Sequence, residues 1–412
     1  MIFYKYNGKI LCSREDDYPY EKVDIHGADD TVKELYFLTK KPVGISKKSW
    51  AVVAPEDFVC QENLNDLRIM KVDARDRAMF EHILSHARVK AVNTAYPDYE
   101  ECLKMNHKDK YRVNILALGD VGSTLLVGLR LLGRNKISEI GICDMNRNVV
   151  LRWEYELNQI TEPFSYDEFP RVYGISMEEL FDGDVFIFCA SKGIPPVGSG
   201  IKDVRMAQFE QNASLVAQYA RMARKKQFKG LFAVVSDPVD PLCKAAFLAA
   251  TENERGELDY AGLAPEQVKG YGLGVMNARA LFYADRDESM ASYKTEGRAF
   301  GPHGEDLVIA NSIEHYNDEV SRQLTRQVVE ANMKVRALGF KPYVAPALSS
   351  GALSILGTLE GKWHYSSTFL GGVYMGAKNR WLPQGNQLER NHLPETLMER
   401  LKETYGKLEQ II

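Results

Sequence analysis

The sequence predicts an α/β chain: a doubly wound parallel sheet, followed by an α+β domain and preceded by a small α/β domain. Three observations carry that expectation. The stretch 112–126, RVNILALGDVGSTLL, runs apolar strand, glycine turn, helix. The runs 185–190 and 231–236 are continuously apolar and of strand length, as strands are when helices cover both sheet faces, and 137–143 is a further apolar strand. Helical patterns separate these runs, 206–224 being the longest, and strand–helix alternation gives a parallel sheet.

Composition sets outer bounds. The 412 residues suffice for two or three domains, and 45% apolar with 26% charged residues is an ordinary globular balance. A formal net charge of −4 offers no basic face for nucleic acid. No apolar run reaches membrane-spanning length, and the start, MIFYKYNGK, lacks the layout of a signal peptide. The six cysteines, Cys12, Cys60, Cys102, Cys143, Cys189 and Cys243, are scattered without a CxxC pair. That spacing argues against a zinc or disulfide framework and fits a reducing cytoplasm.

Taken in order, residues 1–110 form an N-terminal accessory domain. Strands are expected over 50–54 and 68–72, and an amphipathic helix over 74–89 with Met79, Phe80, Ile83 and Leu84 on one side. No catalytic constellation stands out, so packing or oligomerisation is the expected role. His82, His86 and His107 read as surface or capping groups, with no carboxylate pattern for a metal. Residues 108–110 read as a linker.

Residues 111–240 form the nucleotide domain. Gly119 lets the backbone approach a pyrophosphate, and Gly122 lets the helix pack closely on the strand. The helix start then offers unpaired N–H groups and partial positive charge to phosphates. Asp144 ends the second strand, where an acid accepts hydrogen bonds from adenosine ribose hydroxyls and repels a 2′-phosphate. That favours NAD over NADP. Residues 241–412 form an α+β substrate domain, with a helix near 274, helical character over 351–359 and a glycine-broken strand over 364–375.

The order of motifs over roughly residues 111–380 resembles the lactate/malate dehydrogenase superfamily. Five pieces carry it: ALGDVGS at 117–123, Asp144, Arg205 with Asn212, SDPVD at 236–240, and NAR at 277–279 followed by GPHGED at 301–306. The resemblance implies a Rossmann-type fold, NAD as cofactor, and a small 2-hydroxy or 2-keto acid as substrate. It implies cofactor contacts at Gly119, Asp120, Val121, Gly122, Asp144, Ala190, Asn212 and Ser236, and no metal. It also implies a homodimer or homotetramer.

The same resemblance assigns catalytic roles. Arg205, after the glycine- and proline-rich segment KGIPPVGSGIKD, would polarise the substrate carbonyl on a closing loop. Arg279 would hold the substrate carboxylate through its planar fork. His303 lies in a glycine- and proline-flanked turn, and imidazole ordinarily titrates at about 6.5, suited to exchanging a proton near neutral pH. Its interval of 24 residues from Arg279 agrees with the family.

Departures from the pattern are as informative. The family usually has aspartate three residues before the arginine matching Arg279; here the residue is Met276. A thioether cannot hold an imidazolium. Asp237 stands where the family usually has asparagine, and is the candidate to supply the missing charge. Asn277 would fit the role only with a helix deletion. Ala117 replaces the first fingerprint glycine, and Asp120 puts an acid near the pyrophosphate, which weakens binding. The loop before Arg205 is longer than usual, leaving Lys192 and Ser199 as candidates for substrate selection. Two other functions are in view: an NAD-binding homologue without turnover, and an NAD- and metal-dependent glycosidase. The second wants a cysteine–histidine metal pair that the sequence does not offer.

Overall fold

The computed structural model describes residues 1–24, 32–106, 108–192 and 204–412, with the backbone alone for 204–208. The first unit is a six-stranded mixed sheet. Its strands are β1 (Ile2–Tyr6), β2 (Lys9–Ser13), β3 (Glu21–Val23), β4 (Glu34–Thr39), β5 (Ser49–Val52) and β6 (Arg88–Asn93). They lie in the order β3-β1-β2-β4-β6-β5, with β2, β4 and β6 parallel. Helix α1 (Ala74–His86) covers one face; Asp73 caps it by accepting from the Arg75 N–H. Phe58 and Phe80 stack beneath it with centroids 4.2 Å apart.

Two expectations change here. The helix foreseen over 74–89 stops at His86, because Val89 enters β6 and is fully buried there. The stretch 68–72 is not a strand: Arg68 makes an isolated bridge to Asn391, and Ile69 is exposed. With no neighbouring strand to satisfy its backbone, a short β-prone run stays irregular. Leu64 and Leu67 just before it pack into the C-terminal core instead.

The main sheet has nine strands. Six are parallel: β7 (Tyr111–Leu116), β8 (Ile137–Cys143), β9 (Arg171–Gly174), β10 (Val185–Phe188), β11 (Leu231–Val234) and β12 (Val268–Gly270). Between them run α2 (Asp120–Leu132), α3 (Arg147–Asn158), α4 (Val204–Lys225) and α5 (Val239–Thr251). The order β9-β8-β7-β10-β11-β12 reverses direction between β7 and β10. In such sheets ligands bind outside the carboxyl ends of the strands at that reversal.

One apolar cluster lies under α4 and α5, and a second under α2 and α9 (Ser354–Leu359). Leu125, Leu126 and Leu129 of α2 are fully buried in the second. Each such side chain contributes about 1.5–3 kcal/mol of hydrophobic stabilisation.

Beyond 240 the chain mainly extends the same sheet, and its one separate sheet among the described residues is a two-stranded hairpin. β12 completes the parallel set, and β15 (His364–Leu370), β16 (Val373–Leu382) and β17 (Gly385–Leu388) extend it antiparallel. Around this edge lie α6 (Leu273–Ala284), α7 (Tyr293–Glu296), the hairpin β13 (Arg298–Phe300) and β14 (Val308–Ala310), α8 (Asp318–Ala337) and α10 (Glu395–Glu409). A π-helix, Pro346–Leu353, leads into α9 and wedges between α2 and α6.

The first unit is tied to the main sheet. The Lys48 and Ser49 N–H groups donate to Glu266 at 3.0 and 2.7 Å. Arg390 pairs with buried Asp57. All six cysteines are free thiols. Cys60, Glu62 and Asp66 converge in this unit, but the Lys47 ammonium sits 2.8 Å from Glu62 and supplies the local positive charge. No helix among the described residues is long and apolar enough to cross a membrane.

Candidate active site

Four segments meet at the carboxyl ends of the parallel strands. The first is the turn from β7 into α2. Ala117 takes a left-handed φ of 73° there, a conformation that ordinarily favours glycine. A Cβ on Gly122 would stand 2.0 Å from the Ala117 carbonyl oxygen, so glycine is obligatory for this close helix approach. Nothing lies within 4 Å of where a Gly119 Cβ would be, so the space before the helix is open. The first-turn N–H groups of α2 have no intrahelical acceptor and face that space.

Asp144 braces the turn. One carboxylate oxygen accepts from the Leu118 N–H at 2.8 Å and the other from the Asn146 N–H at 2.9 Å. Each oxygen keeps a lone pair for a ribose hydroxyl. Asp120, in the first turn of α2, is exposed and pairs with Lys341 at 3.0 Å. Val121 is half-buried beside it.

The second and third segments follow β10 and β11, and one side chain joins them. Asn212 on α4 is fully buried; its oxygen accepts from the Lys192 N–H at 3.0 Å, and its amide donates to the Asp237 carbonyl at 2.8 Å. Asn212 therefore shapes both turns from behind. Ala190 is half-buried at the rim. The Arg205 side chain, and Ser199 with the rest of 193–203, lie outside the described residues, as does His107.

The fourth segment carries His303. It is pinned on both sides: the Gly301 N–H donates to the Gly376 carbonyl at 2.9 Å, and the Thr404 hydroxyl to the Asp306 carbonyl at 2.9 Å. His303 lies against Gly272, where a Cβ would stand 2.8 Å from its own Cβ. Its Nδ1 is 3.2 Å from the Asp237 carboxylate. Asp237 itself is exposed, and its bond to Pro238 is cis.

Behind the imidazole is a buried polar nest. His303 Nε2, Asp240 Oδ1 and Ser367 Oγ are closed from solvent, with Asp240 beside the Ser367 hydroxyl and His303; Ser236 Oγ, in the same turn as Asp240, is closed from solvent too. Burial pushes the Asp240 carboxyl up to about 7, opposed by the Ser367 hydroxyl and by His303. The sequence pointed to Asp240 only as the end of a motif, and Ser367, on β15, carries no local signal.

Met276 and Arg279 lie deeper on α6. Met276 is buried, and its sulfur is 3.8 Å from Arg279 Nη1. Arg279 Nη2 donates to Asn332 on α8. No carboxylate among the described residues pairs with this guanidinium, whose pKa burial lowers. No hydrogen bond joins Arg279 to His303 or Asp237. Ser350 of the π-helix anchors this helix start: it donates to the Gly272 carbonyl at 2.6 Å and accepts from the Val275 N–H at 2.8 Å.

Solved structures of the same architecture include malate dehydrogenase from Aeropyrum pernix. It has a TM-score of 0.59 and 18% identity, covering 73% of this chain and 96% of that one. A lactate dehydrogenase from a Medee basin deep-sea metagenome gives 0.58 and 15%, over 74% and 98%. Malate dehydrogenase from Archaeoglobus fulgidus, solved in complex with NADH, gives 0.58 and 17%, over 73% and 98%. In sequence, the chain is 25% identical to L-lactate dehydrogenase of Mycoplasma pneumoniae over 197 residues, 48% of this chain and 57% of that protein. It is 28% identical to that of Treponema denticola over 200 residues, 48% and 56%. The chain thus spans a little over half the length of these relatives. No family model matches the sequence. Fold and sequence together bear out the resemblance to the lactate/malate dehydrogenase superfamily and its Rossmann-type sheet.

Proposed function

We propose that the chain is an NAD-dependent oxidoreductase that transfers a hydride between NAD(H) and a small 2-hydroxy or 2-keto acid. The observation that carries this reading is the Asp237–His303 contact at 3.2 Å. It gives the turn histidine the carboxylate that Met276 cannot provide. The open space before Gly119 and the close helix start at Gly122 suit a pyrophosphate. The cofactor, when bound, supplies the hydride.

The chain's own groups then divide the work. His303 is the group that exchanges the proton with the substrate oxygen. Its Nδ1 meets Asp237 and its Nε2 is closed from solvent, so this role requires the ring to turn or the nest to open when substrate binds. Asp237 stabilises the imidazolium formed when the alcohol gives up its proton. Arg279, half-buried without a carboxylate partner, suits the carboxylate of the acid. Lysine keeps charge but not the planar fork, so Arg279→Lys should lose about 10²–10³-fold in kcat/KM. Arg205 is assigned the carbonyl by its place in the sequence.

Two measurements test the reading: NADH binding by fluorescence, and NADH oxidation with a panel of 2-keto acids. Binding with turnover of at least one acid is the expected result. Turnover that survives both Arg279→Lys and His303→Asn would sink the site assignment. Binding without any turnover would favour the second reading, a non-catalytic NAD-binding homologue, which buried Met276 motivates. We also propose a homodimer or homotetramer, a cytoplasmic location and preference for NAD over NADP. Light scattering that shows only monomer would remove the first of these.

A further inference from the structure

At the opposite, amino-terminal ends of the parallel strands the chain encloses a hollow of about 660 Å³. Its floor is the residues just before β7, β8, β10 and β11, and residues 104–106, Lys108 and 381–383 are among those that line the rest. A hollow of this size takes a nucleotide-sized molecule. It shares no residue with the turns described above.

Its charge stands out in a chain of net −4. Five lysines line it against three acids, Asp182, Asp184 and Glu360. Three of the lysines are matched: Lys108 with Asp184, Lys226 with Asp182 at 3.1 Å, and Lys229 with Glu101 at 2.5 Å. Glu360 is taken by Lys362 at 2.7 Å, outside the hollow. Among the described residues no carboxylate lies within ion-pair distance of Lys104 or Lys136; Glu101, held by Lys229, is the acid that also feels Lys104. Unmatched cations in a concave, partly apolar site concentrate anions. The apolar lining includes the edges of buried Phe181 and Phe228, which pack with centroids 5.4 Å apart, and the half-buried ring of Trp381.

We propose that this hollow binds a nucleoside monophosphate, its phosphate between Lys104 and Lys136 and its ring against the aromatic wall. Flat rings and a phosphate are what this pairing of aromatic surface with free ammonium groups recognises. The proposal is independent of the dehydrogenase reading, since a ligand here lies at the other end of the strands.

The test titrates AMP into the full chain with and without NADH, followed by calorimetry and tryptophan emission. The expected result is one saturable site, with Kd of about 0.1 mM or tighter, that persists in NADH. Lys104→Glu/Lys136→Glu should weaken it about tenfold or more, and Trp381→Leu should remove the emission change. Lys104→Gln/Lys136→Gln replaces the charge reversal should that variant fold poorly. Three results would overturn the proposal. One is no saturation by about 5 mM AMP. Another is unchanged affinity in the lysine variants, which would place AMP in the cofactor groove. The third is equal binding of inorganic phosphate, which would leave the ring unrecognised. None of these readouts passes through keto-acid turnover.

Discussion

Two turns, after β7 and after β11 with β10 between them, end strands of the same sheet and are built by different means. The turn 117–122 is set mainly by its own backbone, a left-handed Ala117, an open Gly119 and a Gly122 with no room for a Cβ, with Asp144 as its side-chain brace. The turn 236–240 is made by visitors. Asn212 holds the Asp237 carbonyl from α4, His303 reaches the Asp237 carboxylate from 66 residues away, and Ser367 faces Asp240 from β15. A turn fixed by backbone sterics can change little. A turn assembled from side chains can exchange partners, and on the proposed reading Asp237 serves His303 in place of the residue at Met276 on α6.

The largest effect that would break this contrast is at the visitor itself. His303→Asn should lower keto-acid turnover by about 10³–10⁴-fold and leave NADH affinity within twofold, since the glycine turn shares no hydrogen bond with it. Steady-state kinetics beside a fluorescence titration reads both. Loss of NADH binding in this variant would mean that the two turns are one unit.

The next effect is on stability. Burial raises the Asp240 carboxyl from its ordinary value of about 3.9 to about 7. Between those values the folded chain keeps a proton that the unfolded chain has lost. Stability therefore falls as pH rises through that window, by at most about 4 kcal/mol from this group. Asp240→Asn removes that fall, so its stability relative to the parent should grow from pH 4 to 7 and level off above. Denaturant unfolding at a series of pH values measures the difference. Parallel curves would show that Asp240 is already ionised in the fold.

The contrast also explains what the sequence could tell. The glycine turn, the run Ile137–Cys143 and the strand–helix alternation were readable because each is local: apolar spacing and a residue without Cβ. His303 and Asp237 were readable as positions in a motif order. Their contact was anticipated only through the missing aspartate at Met276, which made Asp237 the candidate partner; no periodicity encodes a meeting between residues 66 apart. The same limit hid the Asp240–Ser367 nest and the π-helix whose Ser350 bridges Gly272 and Val275. At 68–72 local β propensity misled, since only a neighbouring strand makes such a run a strand.

A smaller effect sharpens the relocation. With His303 already paired, Met276→Asp should not raise turnover. It places a second carboxylate in a buried apolar cluster and should lower stability. Asp237→Asn should cost about 10²-fold in turnover by removing the charge that holds the imidazolium. In the double variant Met276→Asp/Asp237→Asn the family arrangement is rebuilt, and part of the activity should return. If Met276→Asp alone accelerates the reaction, Asp237 is not the partner and the carboxylate has not moved.

The smallest effect concerns the one misfit in the backbone-built turn. Asp120 puts a negative charge in the first turn of α2, where a pyrophosphate would sit, and Lys341 reaches it at 3.0 Å from beyond α8. Both side chains are exposed, 51% and 81%, so water and salt screen the pair and it adds little to stability. Its consequence is for the incoming anion. Asp120→Asn should tighten NADH about 2–5-fold, because a like charge is removed while the helix start keeps its partial positive charge. Lys341→Ala should weaken NADH by a similar factor, and the double variant should fall between. Raising the salt should shrink every one of these differences, as screening requires. A change greater than tenfold in either single variant, or one insensitive to salt, would mean that the pair is part of the pyrophosphate site and not a screened neighbour of it.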